Sequence, residues 1–179
     1  MTHIGLKRGT VSLLPYDQAW PRLFEAEKLN LLEALGGIIF DVEHVGSTSV
    51  PGLAAKPLID MMASVESLSD YKKAISPLEA LDYEYMPERV FSDRIFFPKG
   101  PREQRTFHLS LVEKGSKQWI ETLQFRDYLR SHPAKRDEYQ MLKERLARLF
   151  ADNRELYTKG KSEFIGSVLA LAAESSQKS

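Results

Sequence analysis

The chain has 179 residues, 42% of them hydrophobic, which is enough to bury the core of one domain. Its 25 basic and 25 acidic residues give a formal net charge of zero, which excludes a global electrostatic attraction to nucleic acid or to an anionic membrane. The absence of cysteine excludes disulfides, thiolate catalysis and zinc sites built on cysteine. The N-terminus has no signal-peptide pattern, and no apolar run approaches the ~18 residues of a membrane helix. We therefore expect a cytoplasmic protein with no membrane or nucleic-acid partner.

The N-terminal part of the chain predicts an arm, a helix and a strand. The arm is expected over residues 1–14. Across residues 17–35, apolar side chains recur at spacings of three and four with charged residues opposite, which is typical of an amphipathic helix packed on a sheet. A pair of glycines ends this helix. Alternation over residues 38–45 then predicts a strand whose even-numbered residues, including Phe40 and His44, share one face.

The middle of the chain predicts further strands around one more helix. Residues 57–65 form a strand that contains a single acid, and residues 68–81 form a helix that Pro77 kinks or splits. Turns with proline and glycine separate the segments that follow. These segments are predicted as strands over 83–86, 93–98 and 104–113.

The C-terminal part of the chain predicts helices, followed by a frayed tail over 174–179. Combined with the strands, this pattern predicts an α+β fold in which a mixed sheet is flanked by helices. We expect one domain over residues 1–179, with an α/β core over 15–113 and C-terminal helices over 114–173. The C-terminal helices are predicted over 119–131, 133–150 and 153–173.

Asp60 is the first candidate functional residue. It lies in the apolar strand Leu-Ile-Asp-Met-Met, where its neighbours on the same face are Leu58 and Met62. Aspartate is depleted in strands and is rarely buried without a partner. Asp60 is therefore either a functional carboxylate, as a base or a metal ligand, or one half of a buried ion pair with a basic residue such as Lys56.

A turn that favours phosphate lies between the two strands. Gly46 allows a ligand to approach the backbone closely, and Ser47, Thr48 and Ser49 offer hydroxyls and N–H groups ahead of a short helical stretch. The alternative is an ordinary loop whose hydroxyls cap a helix. The spacing between this turn and Asp60 favours the phosphate-binding interpretation.

The segment Val45-Gly46-Ser47, followed after a spacer by Asp60, resembles the signature of the nucleotidyltransferase superfamily. The strings GSTSVPGLAAKPLID, RTFHL, FRDYLRSHP and KSEFI resemble the GrpB family, whose members are assigned to that fold. The resemblance spans residues 11–172 and implies a nucleotidyltransferase-like core. It also departs from the superfamily at one position, because Met62 stands where the second acid of the Asp-apolar-acid triplet is expected.

This resemblance implies a site for a nucleoside triphosphate. In that chemistry the turn binds the triphosphate and carboxylates hold Mg²⁺, which would make Asp60 both a catalytic residue and a metal ligand. The acids that could supply missing ligands are Asp41, Glu43 and Asp93. The occasional fusion of family members to dephospho-coenzyme A kinase implies a link to coenzyme A metabolism.

Four further residues are candidates for the same site. The alternation of side chains places His108 on the face of its strand opposite the apolar residues. His108 is therefore either a catalytic residue that lines the site or a structural histidine. The forked donors of Arg105 match phosphate oxygens. Lys56 and Lys161 are phosphate-binding candidates for which plain surface charge is the alternative.

Two functions follow from these residues. The first is a nucleotidyltransferase that moves a nucleotidyl group from a nucleoside triphosphate to an acceptor. The second is a regulatory module that has lost its metal ligands and binds a nucleotide or a phosphorylated metabolite without turnover; Met62 favours this alternative. Both need a small-molecule nucleotide partner, and neither specifies an oligomeric state.

Overall fold

The computed structural model describes residues 4–7 and 11–176. The predicted arm and tail therefore lie partly outside the described residues. In chain order, the elements are β1 (Leu6–Lys7), α1 (Ala19–Ala34), β2 (Ile39–Val45), β3 (Ile59–Val65), α2 (Tyr71–Ala80), β4 (Ile95–Lys99), β5 (Gln104–Arg105), β6 (Phe107–Glu113), α3 (Lys117–Ser131), α4 (Pro133–Leu149), α5 (Arg154–Lys159) and α6 (Ser162–Ser176).

A four-stranded mixed sheet organises the molecule. Its strand order is β2-β3-β6-β4, and a separate two-stranded ribbon pairs β1 with β5. The β2–β3 and β6–β4 pairs are antiparallel, whereas β3 and β6 are parallel. This arrangement confirms the predicted α+β fold with a mixed sheet. The parallel register places Asp60 of β3 directly beside His108 of β6.

One face of the sheet carries the main hydrophobic core. Alternate residues of β3 point to this face, where they pack against α1 and α2. Each fully buried side chain of this size contributes about 1.5–3 kcal/mol relative to exposure, so this face is the main source of stability. Its residues include Trp20, Leu31, Ile59, Met61, Ala63, Val65, Ala74 and Leu78.

The opposite face of the sheet is covered by α3 over only part of its area. Met62 is 2% exposed and lies in a small apolar cluster under this helix. Asp60 is two residues earlier on the same face, beyond the cover of that cluster. The cluster that encloses Met62 consists of Val45, Val112, Trp119 and Leu123.

An irregularity in β2 changes which side chains face the core. The pairing with β3 shifts register between Ile39 and Asp41, as in a β-bulge. Phe40 is consequently 51% exposed, and the prediction that it shares a face with Val42 and His44 is wrong. Strict alternation fails here because the extra residue resets the side-chain parity.

Three predicted segments differ in the structure. Residues 83–86 form no strand, and only an isolated bridge joins Tyr83 to Lys99. Pro77 lies inside α2 without ending it. The single helix predicted over 153–173 is two helices, α5 and α6, and the chain between them turns at Gly160, where a Cβ would lie 2.5 Å from Leu146 Cδ2.

None of the helices in the described residues is both long enough and apolar enough to cross a membrane.

Candidate functional site

The turn after β2 lies directly against Asp60. Gly46 has φ 71°, and a Cβ built at this position would lie 2.7 Å from Asp60 Oδ2 and 3.0 Å from Asp60 Cβ. Both the positive φ and the close approach require glycine. A single 3-10 turn follows over Ser47–Ser49, in which the Ser49 hydroxyl donates to the Gly46 carbonyl at 2.6 Å. The short helical stretch thus begins at Ser47 and includes the hydroxyl residues that were predicted to precede it.

Asp60 and His108 form a hydrogen-bonded pair. His108 Nδ1 lies 3.2 Å from Asp60 Oδ1, and the edge of the Phe96 ring packs on the imidazole. Burial raises the pKa of Asp60, but the His108 hydrogen bond and the positive charges of His108, Lys56 and Lys161 outweigh it and hold the pKa below its usual value of 3.8. Asp60 is therefore an ionised carboxylate at neutral pH.

A cavity of about 370 Å³ lies between the turn and the C-terminal helices. The side chain of Asp60 is 43% exposed, and it lines this cavity. The volume lies within the range of about 300–1,000 Å³ that is usual for small-molecule sites. The charged residues of the lining are Lys56, Asp60, Glu121, Arg126, Lys143 and Lys161.

Two predicted lysines reach this cavity and share an aromatic neighbour. The ammonium of Lys56 lies 5.5 Å from the centroid of the Tyr157 ring, and that of Lys161 lies 4.7 Å from it. Burial and the repulsion of Arg154 lower the pKa of Lys56 to about 8, although Asp60 partly opposes this shift. Burial also lowers the pKa of Lys161. The alternative interpretation, that Lys56 and Lys161 are plain surface charges, therefore does not fit the structure.

Lys143 is a third lysine of the cavity. It is 1% exposed, donates a hydrogen bond to the carbonyl of Ala54 and lies 5.1 Å from the Tyr139 ring centroid. Burial and repulsion by Lys161 and Lys56 lower the pKa of Lys143 to about 7. Lys143 was not a candidate from the sequence, because a charged residue on a helix usually lies on a solvated face. Its spacing from Tyr139 and Leu146 on the apolar face of α4 is the signal that could have revealed it.

The FRDYLRSHP segment holds the turn in place from α3. Arg126 pairs with Glu43 and donates to the carbonyl of His44 at 3.0 Å. Arg130 donates to the carbonyl of Ser49 through both Nε, at 3.0 Å, and Nη2, at 2.8 Å. Two guanidinium groups therefore satisfy carbonyls on either side of Gly46. This positioning role of the arginines was not predicted from the sequence.

His44 supports the same turn from within the core. Its Nε2 lies 3.0 Å from the hydroxyl of Thr48, which itself donates to the carbonyl of Leu58 at 3.3 Å. The Thr48 hydroxyl uses its only proton in the bond to Leu58, so it must accept the hydrogen bond from His44, whose Nε2 carries the hydrogen. The imidazole stacks on Phe24 at 4.8 Å, and burial lowers the pKa of His44 to about 4. His44 is thus a neutral, structural histidine.

His108 and Arg105 do not line the cavity. His108 is 9% exposed and contacts the site through Asp60. Arg105 lies on the short strand β5, where it pairs with Glu84 and donates to the carbonyl of Gly100 at 2.5 Å. The structure thus does not bring the forked donors of Arg105 to the predicted phosphate site, because an ion pair in the β4–β5 region already engages them.

The acids proposed as additional metal ligands are engaged elsewhere. Asp41 pairs with Lys28, Glu43 with Arg126, and Asp93 with Arg94. The described residues contain no group of three or more histidine, aspartate or glutamate side chains positioned to hold a metal ion. A site for two metal ions therefore does not fit this part of the chain.

The chain is similar to proteins of known sequence and structure. The family model of the GrpB protein matches residues 10–171. The UPF0157 protein PA4798 of Pseudomonas aeruginosa is 41% identical over 170 residues, which cover 91% of this chain and 69% of that protein. The crystal structure of the conserved protein GrpB from Enterococcus faecalis is 36% identical, with a TM-score of 0.83, and the match covers 93% of this chain and 99% of that one.

A partial similarity connects the chain with an enzyme. The dephospho-CoA kinase of Mycolicibacterium paratuberculosis is 38% identical over 81 residues, which are 44% of this chain and 20% of the kinase. The family model, in contrast, spans nearly the whole chain, including the turn, Asp60 and the lysines of the cavity. The chain belongs to the GrpB family.

Proposed function

We propose that the cavity binds a nucleotide or a related phosphorylated small molecule. One observation carries the proposal: the Gly46–Ser49 turn, Asp60, Lys56 and Lys161 meet at a cavity of small-molecule size. The lysines supply positive charge, and the turn supplies hydroxyls and backbone N–H groups, which are the donors that phosphate groups accept from. Arg126 and Arg130 hold the turn in position through the carbonyls of His44 and Ser49.

We infer that the site binds its ligand without rapid turnover. Nucleotidyl transfer in the superfamily relies on carboxylates that hold metal ions, and Met62, which takes the place of the second acid, is buried under α3. Asp60 is the carboxylate that lies directly against the turn. A Mg²⁺ ion on Asp60 stays a prediction; it would take its remaining ligands from phosphate oxygens and water, as Mg²⁺ does in many phosphate sites.

Nucleotidyl transfer remains the second candidate function, and the Asp60–His108 pair favours it. A carboxylate that accepts from an imidazole N–H is oriented and stays ionised, as a general base or a metal ligand requires. Transfer would appear as release of pyrophosphate from a nucleoside triphosphate. Because a dephospho-CoA kinase is partly similar to this chain, dephospho-CoA and CoA join the ligands to be tested.

Thermal unfolding of the purified protein with a panel of ligands tests the proposal. The panel contains ATP, GTP, CTP, UTP, dephospho-CoA and CoA, each with and without Mg²⁺. A ligand at 100 times its Kd stabilises the native state by about 2.7 kcal/mol, so the midpoint temperature should rise for at least one of them. No rise for any ligand contradicts the proposal.

Lys161, just before α6, and Lys159, at the end of α5, give a matched pair of variants for this experiment. Lys161 lines the cavity, whereas Lys159 is 71% exposed and pairs with Glu155 at 2.8 Å. Lys161→Met should reduce the stabilisation by the ligand, and Lys159→Met should leave it unchanged. Equal effects of the two substitutions would place the ligand outside the cavity.

A further inference from the structure

Some of the charged groups that line the cavity are already neutralised by partners. Arg126 forms an ion pair with Glu43. Glu121 lies 3.7 Å from Lys117 on the same helix. These pairs leave the remaining charges of the cavity to be balanced by one another or by a ligand.

The remaining charges are three lysines and one carboxylate. Lys56 precedes β3, Lys143 lies on α4 and Lys161 precedes α6, so three separate segments each contribute a lysine to the lining of one cavity. Asp60 already accepts a hydrogen bond from His108. Among residues 4–7 and 11–176, none of the three lysines forms an ion pair with a carboxylate.

Such an arrangement is unfavourable without an anion. Buried like charges repel one another, and burial also removes the water that would solvate them. Both effects lower the pKa of Lys143 to about 7 and that of Lys56 to about 8. The ionisable groups that act on these lysines from the elements packed around them are Lys161, Asp60, Glu144 and Arg154.

We propose that Lys56, Lys143 and Lys161 form a subsite for a phosphate or diphosphate group and neutralise it without a metal ion. A diphosphate carries enough negative charge to match three ammonium groups, and lysine binds phosphate as a point charge with rotatable donors. The inference deepens the proposed function, on which it rests for the presence of a phosphate-bearing ligand. It assigns to the lysines the charge neutralisation that metal ions perform in the superfamily.

A consequence of this subsite is proton uptake on binding. In the empty cavity, Lys143 and Lys56 are partly neutral between pH 7 and pH 8. A bound anion favours their charged forms, so binding must draw protons from the buffer. The affinity should accordingly fall as the pH rises from 7.5 to 9.

Calorimetric titration with inorganic pyrophosphate and with orthophosphate, in EDTA, tests the inference. The wild type should bind pyrophosphate without metal, and the apparent heat should differ between buffers of different ionisation enthalpy because protons are taken up. Lys143→Met and Lys161→Met should each weaken binding by tenfold or more. The matched controls are Lys135→Met on α4, where Lys135 pairs with Glu138 at 2.6 Å, and Lys159→Met.

Two results would overturn the subsite: pyrophosphate binding that requires Mg²⁺, or wild-type affinity in both Lys143→Met and Lys161→Met. Loss of fold is not the expected reason for weaker binding, because each substitution removes a buried, repelled charge while keeping an unbranched side chain. Thermal unfolding of each variant without ligand checks this. A variant that is less stable than the controls is replaced by its glutamine counterpart.

The experiments distinguish failure of the lysine subsite from failure of the proposed function. Nucleotides that bind only with Mg²⁺, together with no binding of pyrophosphate in EDTA, would refute the lysine subsite and support a metal-dependent nucleotide site. Pyrophosphate binding in EDTA without stabilisation by any nucleotide or CoA derivative would support the subsite and refute the nucleotide as its ligand.

Discussion

Gly46 is required both by the backbone conformation of the turn and by the close approach of the turn to Asp60. Its φ of 71° and the 2.7 Å separation between an added Cβ and Asp60 Oδ2 impose two separate costs on any side chain. Gly37 offers a natural comparison, since its φ is 80° but nothing lies within 4 Å of its Cβ position. A comparison of substitutions at Gly46 and Gly37 therefore separates the cost of backbone strain from the cost of the close contact.

The substitution Gly46→Ala should destabilise the protein by about 2–4 kcal/mol, whereas Gly37→Ala should cost about 1–2 kcal/mol from strain alone. Urea unfolding of the two variants measures the difference. Equal losses would mean that the turn moves away from Asp60 without cost. In that event the close approach is not a constraint on the site.

Met62 shows how burial changes the meaning of a sequence position. From the sequence alone, Met62→Asp is expected to restore a metal ligand on the same face as Asp60. The structure instead encloses Met62 in the apolar cluster under α3, where a carboxylate has no partner among the cluster residues.

We therefore predict that Met62→Asp lowers the free energy of unfolding by about 3–5 kcal/mol. The isosteric Met62→Leu should cost less than about 1.5 kcal/mol. Denaturant unfolding measures both. A stable Met62→Asp variant with tighter Mg²⁺ binding would instead support the expectation from the sequence.

At the scale of elements, α3 acts as a support for the Gly46–Ser49 turn. Arg130 places two donors on one carbonyl of that turn, at 2.8 and 3.0 Å. Hydrogen bonds from a charged donor contribute about 1.5–3 kcal/mol. The turn is thus held by a residue that does not itself line the cavity.

Arg130→Met should lower stability by about 1–3 kcal/mol and also weaken ligand binding, because the turn loses its fixed position. Arg148→Met on α4 is the control, since Arg148 is exposed and does not line the cavity. Parallel measurements of unfolding and of ligand affinity check the result. A loss of stability with unchanged affinity would mean that Arg130 supports the fold but does not position the site.

The elements also explain which parts of the structure the sequence could predict. The strands around Asp60 and the helix packed on them have clear alternation or helical spacing, and these local patterns persist in the fold. The parallel register that brings Asp60 to His108 depends on a long crossover connection, which spacing along one strand does not encode. The structure brings Asp60, Lys56 and the turn to one cavity.

The remainder of the site depends on how helices far apart in the sequence pack. Lys143 was not identified because charge on a helix usually marks a solvated face, and only the packing of α4 on Ala54 buries it. Arg105 was placed at the site because it belongs to a family-like segment, but the ribbon of β1 and β5 and the ion pair with Glu84 hold it elsewhere. Phe40 was misplaced by a bulge that alternation cannot anticipate.

At the scale of the whole molecule, a net charge of zero coexists with a positively charged cavity. Lys143 and Lys56 have lower pKa values in the folded state than the ordinary 10.5, so the unfolded chain binds more protons than the folded protein above about pH 7. Stability linked to these groups must therefore rise with pH between their folded and unfolded pKa values, and it changes little below pH 6.

For the protein without ligand, we predict that the free energy of unfolding rises by about 2–2.5 kcal/mol between pH 7 and pH 8.5. Lys143→Met should flatten this rise, whereas Lys135→Met should preserve it. Saturating pyrophosphate should also flatten it, because the bound anion keeps the lysines charged. A wild-type stability that falls over this range would contradict the predicted direction.

The most direct test of the central claim, that this cavity binds phosphate groups through its positive charge, is the affinity of Asp60→Asn for pyrophosphate in EDTA. The substitution removes a carboxylate that lines the cavity and repels the ligand, and it keeps the shape of the side chain. We predict metal-free binding by the wild type and binding at least tenfold tighter by Asp60→Asn, because one unit charge within about 10 Å at an effective dielectric of about 20 contributes more than about 1.4 kcal/mol. No binding by either protein, or binding that is lost in Asp60→Asn while its fold is intact, would contradict the account.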